Sequence, residues 1–368
     1  MIFLTKHGSQ CYGLNNEFSD LDLKGIVIPP RDVEYDLFHR FEQSENDSKL
    51  HDTYDYLKNP LNPKIESCVF SLRKFIILAA NINPNIIELL WIDPSDILVM
   101  TSTMEKIIEN RDMFLSSKAK FTFSGYAFAQ AAKIERHRKW IVMGDVNEPK
   151  REDFGLPLET PKQLSEVFGL IKSDVEEWNL SQFPLDNMQR DELKAKIWDL
   201  IYNVSQVEVN EGNWPRVYEA GVINRMAERY NLKDEVVVLL QRERQYRKEM
   251  DTYKSWLNWK QNRNPERHVL EVKSGYDTKH ASHLVRLMRM GYEILTEGKV
   301  VVKRPDREEI LSIKNGAWSY EKVMGYAEEM QKKLDVVYRT TKLQKSIDYQ
   351  KVNTFYHGLY QEYFSNNI

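Results

Sequence analysis

Residues 20–28 read Asp-Leu-Asp-Leu-Lys-Gly-Ile-Val-Ile, with charged and aliphatic side chains alternating through the first half. Alternation of this kind is a strand period, which sets Asp20 and Asp22 on one face and Leu21 and Leu23 on the other. A second apolar run, Ile2-Phe3-Leu4, comes just before it and leads into Gly8-Ser9, the composition of a buried strand entering a tight turn. Two carboxylates on one rigid strand, about 6–7 Å apart, repel each other unless a cation sits between them. Paired carboxylate oxygens suit Mg²⁺, which takes a few carboxylates together with phosphate oxygens and water. The Gly8-Ser9 turn adds bare backbone N–H groups and a hydroxyl, the donors a polyphosphate requires. A solvated hairpin would show the same alternation. Features farther along the chain weigh against that simpler reading.

The arrangement is an apolar residue, Gly8-Ser9, ten intervening residues and then Asp20-x-Asp22 inside a strand. It resembles the nucleotidyltransferase signature of the DNA polymerase beta superfamily. That resemblance implies a third carboxylate on a strand beside the first pair. Glu66, at the start of Ile65-Glu66-Ser67-Cys68-Val69-Phe70, is the acid placed for it, ahead of Asp52, Asp55 and Glu88. Asp is the usual residue there, so Glu66 is a departure. Closer still, Leu72-Arg73-Lys74-Phe75, Asn83-Pro84-Asn85-Ile86-Ile87-Glu88-Leu89-Leu90 and Ser124-Gly125-Tyr126-Ala127-Phe128-Ala129-Gln130 are similar to the RlaP group, nucleotidyltransferases associated with RNA repair.

Composition limits the partners. The chain has 368 residues and a formal net charge of −3, so any nucleic-acid contact has to rely on local patches instead of a global basic field. Two cysteines, Cys11 and Cys68, make no disulfide framework and no zinc spacing, which fits a reducing cytoplasm. The first residues read as a strand and not as a leader, and no apolar run reaches membrane-spanning length.

Pro29-Pro30 ends the acidic strand, and residues 31–64 read as a helix or long loop with weak strands. Asn83-Pro84-Asn85 reads as a helix stop and restart with Asn85 at the cap. Residues 104–114 and 118–141 read as amphipathic helices, the second ending in the basic face Lys133, Arg136, His137, Arg138 and Lys139. Residues 144–157 are a turn-rich break. Helices follow from Thr160-Pro161 onward, over 187–208, 214–231 and 234–263. The last carries Arg242, Arg244, Arg247 and Lys248 among glutamates, the pattern of a solvated helix with internal pairs.

A second informative stretch runs from Ser274 to Glu293. Ser274 or Asp277 can cap a helix reaching about Leu295. Lys279, His283 and Arg286 are spaced to share one face, with His280 adjacent and Ala281, Leu284, Leu287 and Met288 opposite. Cations near a helix start add to a dipole that already favours anions, an arrangement suited to a triphosphate. His280 and His283 alone lack a third ligand for a metal. This stretch and Gly298 to Asp306 also resemble the RlaP group. Two further helices, about 319–338 and 349–363, close the chain.

The expectation is an α+β protein. A small mixed β-sheet nucleotidyltransferase domain occupies 1–100, and a large, mainly helical C-terminal domain occupies 101–368. The latter holds a helical insertion over 146–265 and a phosphate-contacting helix region over 266–330. The implied activity is transfer of an NMP from an NTP to an acceptor hydroxyl with Mg²⁺, or Mn²⁺ in its place. Asp20, Asp22 and Glu66 are the metal-binding and catalytic residues. Gly8, Ser9, Lys279, His280, His283 and Arg286 bind the nucleotide. The resemblance points to an RNA or tRNA end as acceptor; AMP transfer to a protein or small-molecule hydroxyl, and a non-catalytic nucleotide sensor, are the competing readings.

Overall fold

The computed structural model describes residues 1–17, 19–34, 36, 38, 40–159, 162–177, 232–263 and 265–366. The helices expected over 187–208 and 214–231, and the Thr160-Pro161 start, lie outside the described residues. The described chain forms two compact units, Met1–Val142 with Pro265–Ile368, and Met143–Asn264.

In the first unit, strands β1 (Phe3–Lys6), β2 (Leu21–Val27), β3 (Gln43–Glu45), β4 (Ile65–Ser71) and β5 (Ile97–Met100) form one sheet in the order β3-β4-β2-β1-β5. β2 and β4 are parallel, with Leu21 opposite Ile65 and Asp22 opposite Glu66, while the other pairs are antiparallel. A parallel pair needs a crossover, and residues 28–64 supply it. They include a single turn at Arg31–Glu34, β3, and helix α1 (Ser48–Thr53). With its mixed sheet and predominantly helical remainder the protein is α+β.

The period-two pattern separates two apolar layers. Leu4, Leu21 and Leu23 pack with Leu50, Tyr54 and Leu57 on one face of the sheet. Phe3, Ile26 and Phe70 face the other way, into the main core. That core also receives residues from α2 (Leu72–Ala80), α3 (Ser102–Glu109) and α4 (Ala119–Met143). Asp22 and Lys24 alternate with the leucines, so they belong to the face of the main core, where strand alternation would suggest water.

The second unit holds α5 (Lys162–Glu177) and α6 (Asp234–Gln261). Several of its described charges pair internally. Glu243, nearly buried on α6, accepts from both Arg151 terminal nitrogens at 3.0 and 2.7 Å and from Arg247 Nε at 3.1 Å. Arg242 donates to the Gly155 carbonyl at 3.2 Å.

Returning to the first unit, α7 (Pro265–Ser274), α8 (Thr278–Glu297), α9 (Arg307–Lys314), α10 (Tyr320–Thr340) and α11 (Tyr349–Asn366) complete the chain. Asp277 caps α8 by accepting from His280 N at 3.0 Å, and Gly298 ends it in the left-handed conformation at φ 67°. Asn83, not Asn85, caps the turn Pro84–Ile87, its side chain accepting from Asn85 N at 3.1 Å. Proline at the first helical position leaves the cap to the residue before it. On α11 Tyr360 is buried, and Phe355, Tyr356, Tyr363 and Phe364 pack on the main core, so these rings are structural.

Candidate active site

At the ends of β2 and β4, the parallel register sets Glu66 directly beside Asp22. One carboxylate oxygen from each of Asp20, Asp22 and Glu66 lies within 4.8 Å of the others, and all three residues are half-buried. Burial, then the charges of Asp20 and Glu66, push the Asp22 carboxyl up to about 6, while Lys279 and Lys24 pull the other way. A site that makes its own carboxylate hard to ionise is short of positive charge. The donor set is all oxygen, which suits a hard divalent cation and not a thiolate- or imidazole-seeking ion. Glu66 also pairs with Lys64, an exposed side chain that a metal could displace.

The turn after β1 is folded over Asp22. His7 N donates to the Asp22 carbonyl at 2.8 Å, and Gly8 takes a left-handed φ of 60°. A Cβ on Gly8 would stand 1.7 Å from Asp22 Oδ2. Only glycine permits both the backbone conformation and that approach. We expect Gly8→Ala to lower metal-dependent turnover by at least ~10²-fold, since misplacing a reacting group by about 1 Å costs that much. Wild-type rates from a folded Gly8→Ala protein would refute the close approach. Next in the turn, Ser9 Oγ is buried with no hydrogen-bond partner among the described residues.

Comparison with protein families bears on this combination of oxygen-only triad, parallel strand pair and glycine-bearing turn. Residues 1–142 match the RlaP family, the RNA repair pathway DNA polymerase beta family. No curated protein and no solved structure matches the chain. The match ends at residue 142, so the RlaP-like stretch over 266–330 lies outside it. Helix α8 nonetheless reaches the site of the RlaP-matching portion, because Lys279 is near enough to hold down the Asp22 carboxyl.

The basic stripe expected on α8 divides in two. Lys279 is exposed and His280 and His283 are half-buried, near the helix start. Arg286 is 4% exposed and does not share their surroundings. It donates from Nη1 to Glu88 Oε1 at 2.8 Å, and its guanidinium lies 3.6 Å from the centre of the Tyr12 ring. The expectation that Arg286 meets phosphate is therefore corrected: its charge is spent on a buried carboxylate.

Glu88, wholly buried, also accepts from the Tyr12 hydroxyl and lies 3.5 Å from His7 Nε2. Burial alone would raise its carboxyl, but Arg286 with His7 and Tyr12 outweighs burial and holds it at about 2. Burial and then Lys24 lower the His7 imidazole to about 4, so it is neutral at pH 7. Lys24 is itself held by the Asn85 carbonyl at 2.8 Å. Farther round the turn, Arg304 N donates to the Tyr12 carbonyl at 3.2 Å and Lys314 Nζ to the Leu14 carbonyl at 3.3 Å. The turn carrying Gly8 and Ser9 is thus braced by α8 and the segment following it. Of these supports, Glu88 was weighed from the sequence as a rival metal ligand and as a residue at the edge of the core, and Tyr12 and His7 carried no local signal.

Proposed function

We propose that the protein is a Mg²⁺-dependent nucleotidyltransferase that moves an NMP from an NTP to a hydroxyl at an RNA end, with tRNA the first acceptor to test. The observation that carries this reading is the convergence of three carboxylates under a glycine turn that a single Cβ would block. The description of the matched family as an RNA repair pathway family supports the choice of RNA.

In this reading Asp20 and Asp22 hold the ion that accompanies the nucleotide phosphates, and both with Glu66 hold a second beside the attacking hydroxyl. When bound there, divalent ions would neutralise phosphate charge and lower the pKa of that hydroxyl. Gly8 presents its backbone, and Ser9 its buried hydroxyl, to the outer phosphates. Lys279, with His283 on the same end of α8, faces the charge that develops on the departing pyrophosphate, whereas the ring nitrogens of His280 are directed at Gln130 and Asp277. Exposed Lys133 and Arg136 on α4 are the cations available to an RNA backbone, since Arg138 is engaged with Glu321 and Tyr320 and Lys139 with Glu135. Among the described residues no helix is long and apolar enough to cross a membrane.

Label transfer tests the assignment. The protein is incubated with Mg²⁺ and each α-labelled NTP, with and without total tRNA, beside the Asp20→Ala/Asp22→Ala variant. Label on RNA that needs the intact carboxylates is the expected result. Label on protein would replace the RNA acceptor with a protein hydroxyl, and binding without transfer would favour a nucleotide sensor. Lys279→Ala is expected to raise the pH at which Mg²⁺ binding is half lost, because Lys279 helps keep Asp22 ionised. An unchanged Mg²⁺ titration would remove Lys279 from the site.

A further inference from the structure

We infer that His137, Asp277 and His280 form a binding site for a transition-metal ion of the Zn²⁺ class, distinct in its donors from the carboxylate site. The inference does not rest on the nucleotidyltransferase reading.

One atom from each of the three residues lies within 4.8 Å of the others. Asp277 is 1% exposed and divides its carboxylate between two tasks. Oδ1 caps α8, accepting from His280 N at 3.0 Å. Oδ2 faces two imidazoles, with His137 Nδ1 at 2.9 Å and His280 Nε2 at 3.5 Å. Metal–ligand bonds of about 2.0–2.2 Å in a tetrahedron separate neighbouring ligand atoms by about 3.3–3.6 Å. The two observed spacings fall on either side of that interval, so small side-chain shifts suffice.

The surroundings orient the ligands. His280 Nδ1 lies 2.7 Å from Gln130 Oε1, and a carbonyl oxygen can only accept, so the proton of His280 is on Nδ1. Nε2 then turns its lone pair toward the buried Asp277 Oδ2. Gln130 is itself buried and sits two helical turns before His137 on α4, which is how a supporting residue fixes the tautomer of a metal-binding histidine. The His137 ring is stacked on Trp140, with centroids 5.4 Å apart and planes at 23°. On metal binding, the His137 proton moves from Nδ1 to Nε2.

Two imidazoles and a carboxylate select Zn²⁺ or Co²⁺ over Mg²⁺, which takes oxygen donors. Three protein ligands leave a fourth position for water or another oxygen. The His137 and His280 side chains are 15% and 18% exposed, so an ion can enter. The site joins α4 to the cap of α8 and leaves His283 aside.

The test uses the full chain, stripped of metal and titrated with Co²⁺ while the visible bands of tetrahedral cobalt are followed. Zn²⁺ affinity is measured by competition with a chromophoric chelator. One tetrahedral Co²⁺ per chain is expected in the wild type and, undiminished, in Asp20→Ala/Asp22→Ala. His137→Ala and Asp277→Asn should weaken binding by at least ~10²-fold, and Gln130→Ala by about 10–100-fold, the usual effect of removing a ligand's hydrogen-bond partner. Circular dichroism checks each fold, and Gln130→Ala carries the test should the ligand variants not fold. Absence of tetrahedral cobalt in the wild type would overturn the site in favour of a proton-held His–Asp–His cluster. Binding that is lost in Asp20→Ala/Asp22→Ala, or unchanged in both His137→Ala and Gln130→Ala, would overturn it equally.

Discussion

Asp22→Asn is expected to lower nucleotidyl transfer by at least ~10³-fold while making the metal-free protein more stable. The catalytic loss follows from removing the carboxylate that both proposed ions share. Asp20→Ala or Asp22→Ala should cause a loss of the same order with the fold intact, and retained activity in both would sink the assignment. The stability gain follows from burial of the charge and from its like-charged neighbours. Asp22 is raised from 3.8 to about 6 by burial and by its acidic neighbours. A group whose folded-state pKa is raised favours the folded state below its unfolded value, and that contribution is lost as pH rises through the folded value. Above about pH 6 the metal-free protein therefore holds an ionised Asp22 at a cost. Each pH unit between the two values is worth about 1.4 kcal/mol, and partial solvent access brings the net cost to about 1–2 kcal/mol. Urea unfolding without divalent ions should show Asp22→Asn more stable at pH 8 and equal to wild type at pH 4. Equal stability at pH 8 would mean that ionising Asp22 costs the fold nothing, from burial or from its neighbours. In wild type, Mg²⁺ and the proton compete for this group, so Mg²⁺ affinity should fall as pH drops through about 6.

Glu88→Ala is expected to cost about 3–5 kcal/mol, the usual loss when one partner of a buried ion pair is removed. Arg286 would remain buried, facing the Tyr12 ring and Met290 Sδ without a carboxylate partner among the described residues. Glu88 is held below its ordinary value, so its stabilisation is present above about pH 4.5 and fades as pH falls toward 2. The pair itself need not be a net gain over an apolar core. Replacing both residues, Glu88→Leu with Arg286→Met, should recover much of the loss, because no uncompensated charge remains. A double variant no more stable than Glu88→Ala would show that the network contributes more than charge balance. Because Tyr12 and His7 belong to the turn that carries Gly8 and Ser9, the recovered double variant should still turn over more slowly than wild type.

Much of this architecture follows from local pattern. Alternation in residues 20–28 placed Asp20 and Asp22 on one face, and Gly8-Ser9 read as a tight turn; that Gly8 must lack a Cβ is decided by the approach of Asp22 in the fold. Asp277 was one of two caps legible for α8, whereas the cap before Pro84 was read at Asn85 and stands at Asn83. The RlaP resemblance pointed to Glu66, and the parallel register set it opposite Asp22.

Arg286 shows where local pattern stops. Seven residues return to nearly the same side of a helix, so Lys279 and Arg286 do share an azimuth. They differ by about 10 Å along the axis, enough to pass from an exposed first turn into the core. Periodicity reports the direction of a side chain around its helix, and only the neighbouring elements decide whether that direction meets water or Glu88. The His137–Asp277 contact spans 140 positions and has no local signature for the same reason. The sequence by itself therefore determined which groups carry charge and on which side of a strand or helix they lie. Tertiary packing decided which of those charges are spent on one another and which stay available to a ligand, because burial and pairing are properties of what surrounds a residue.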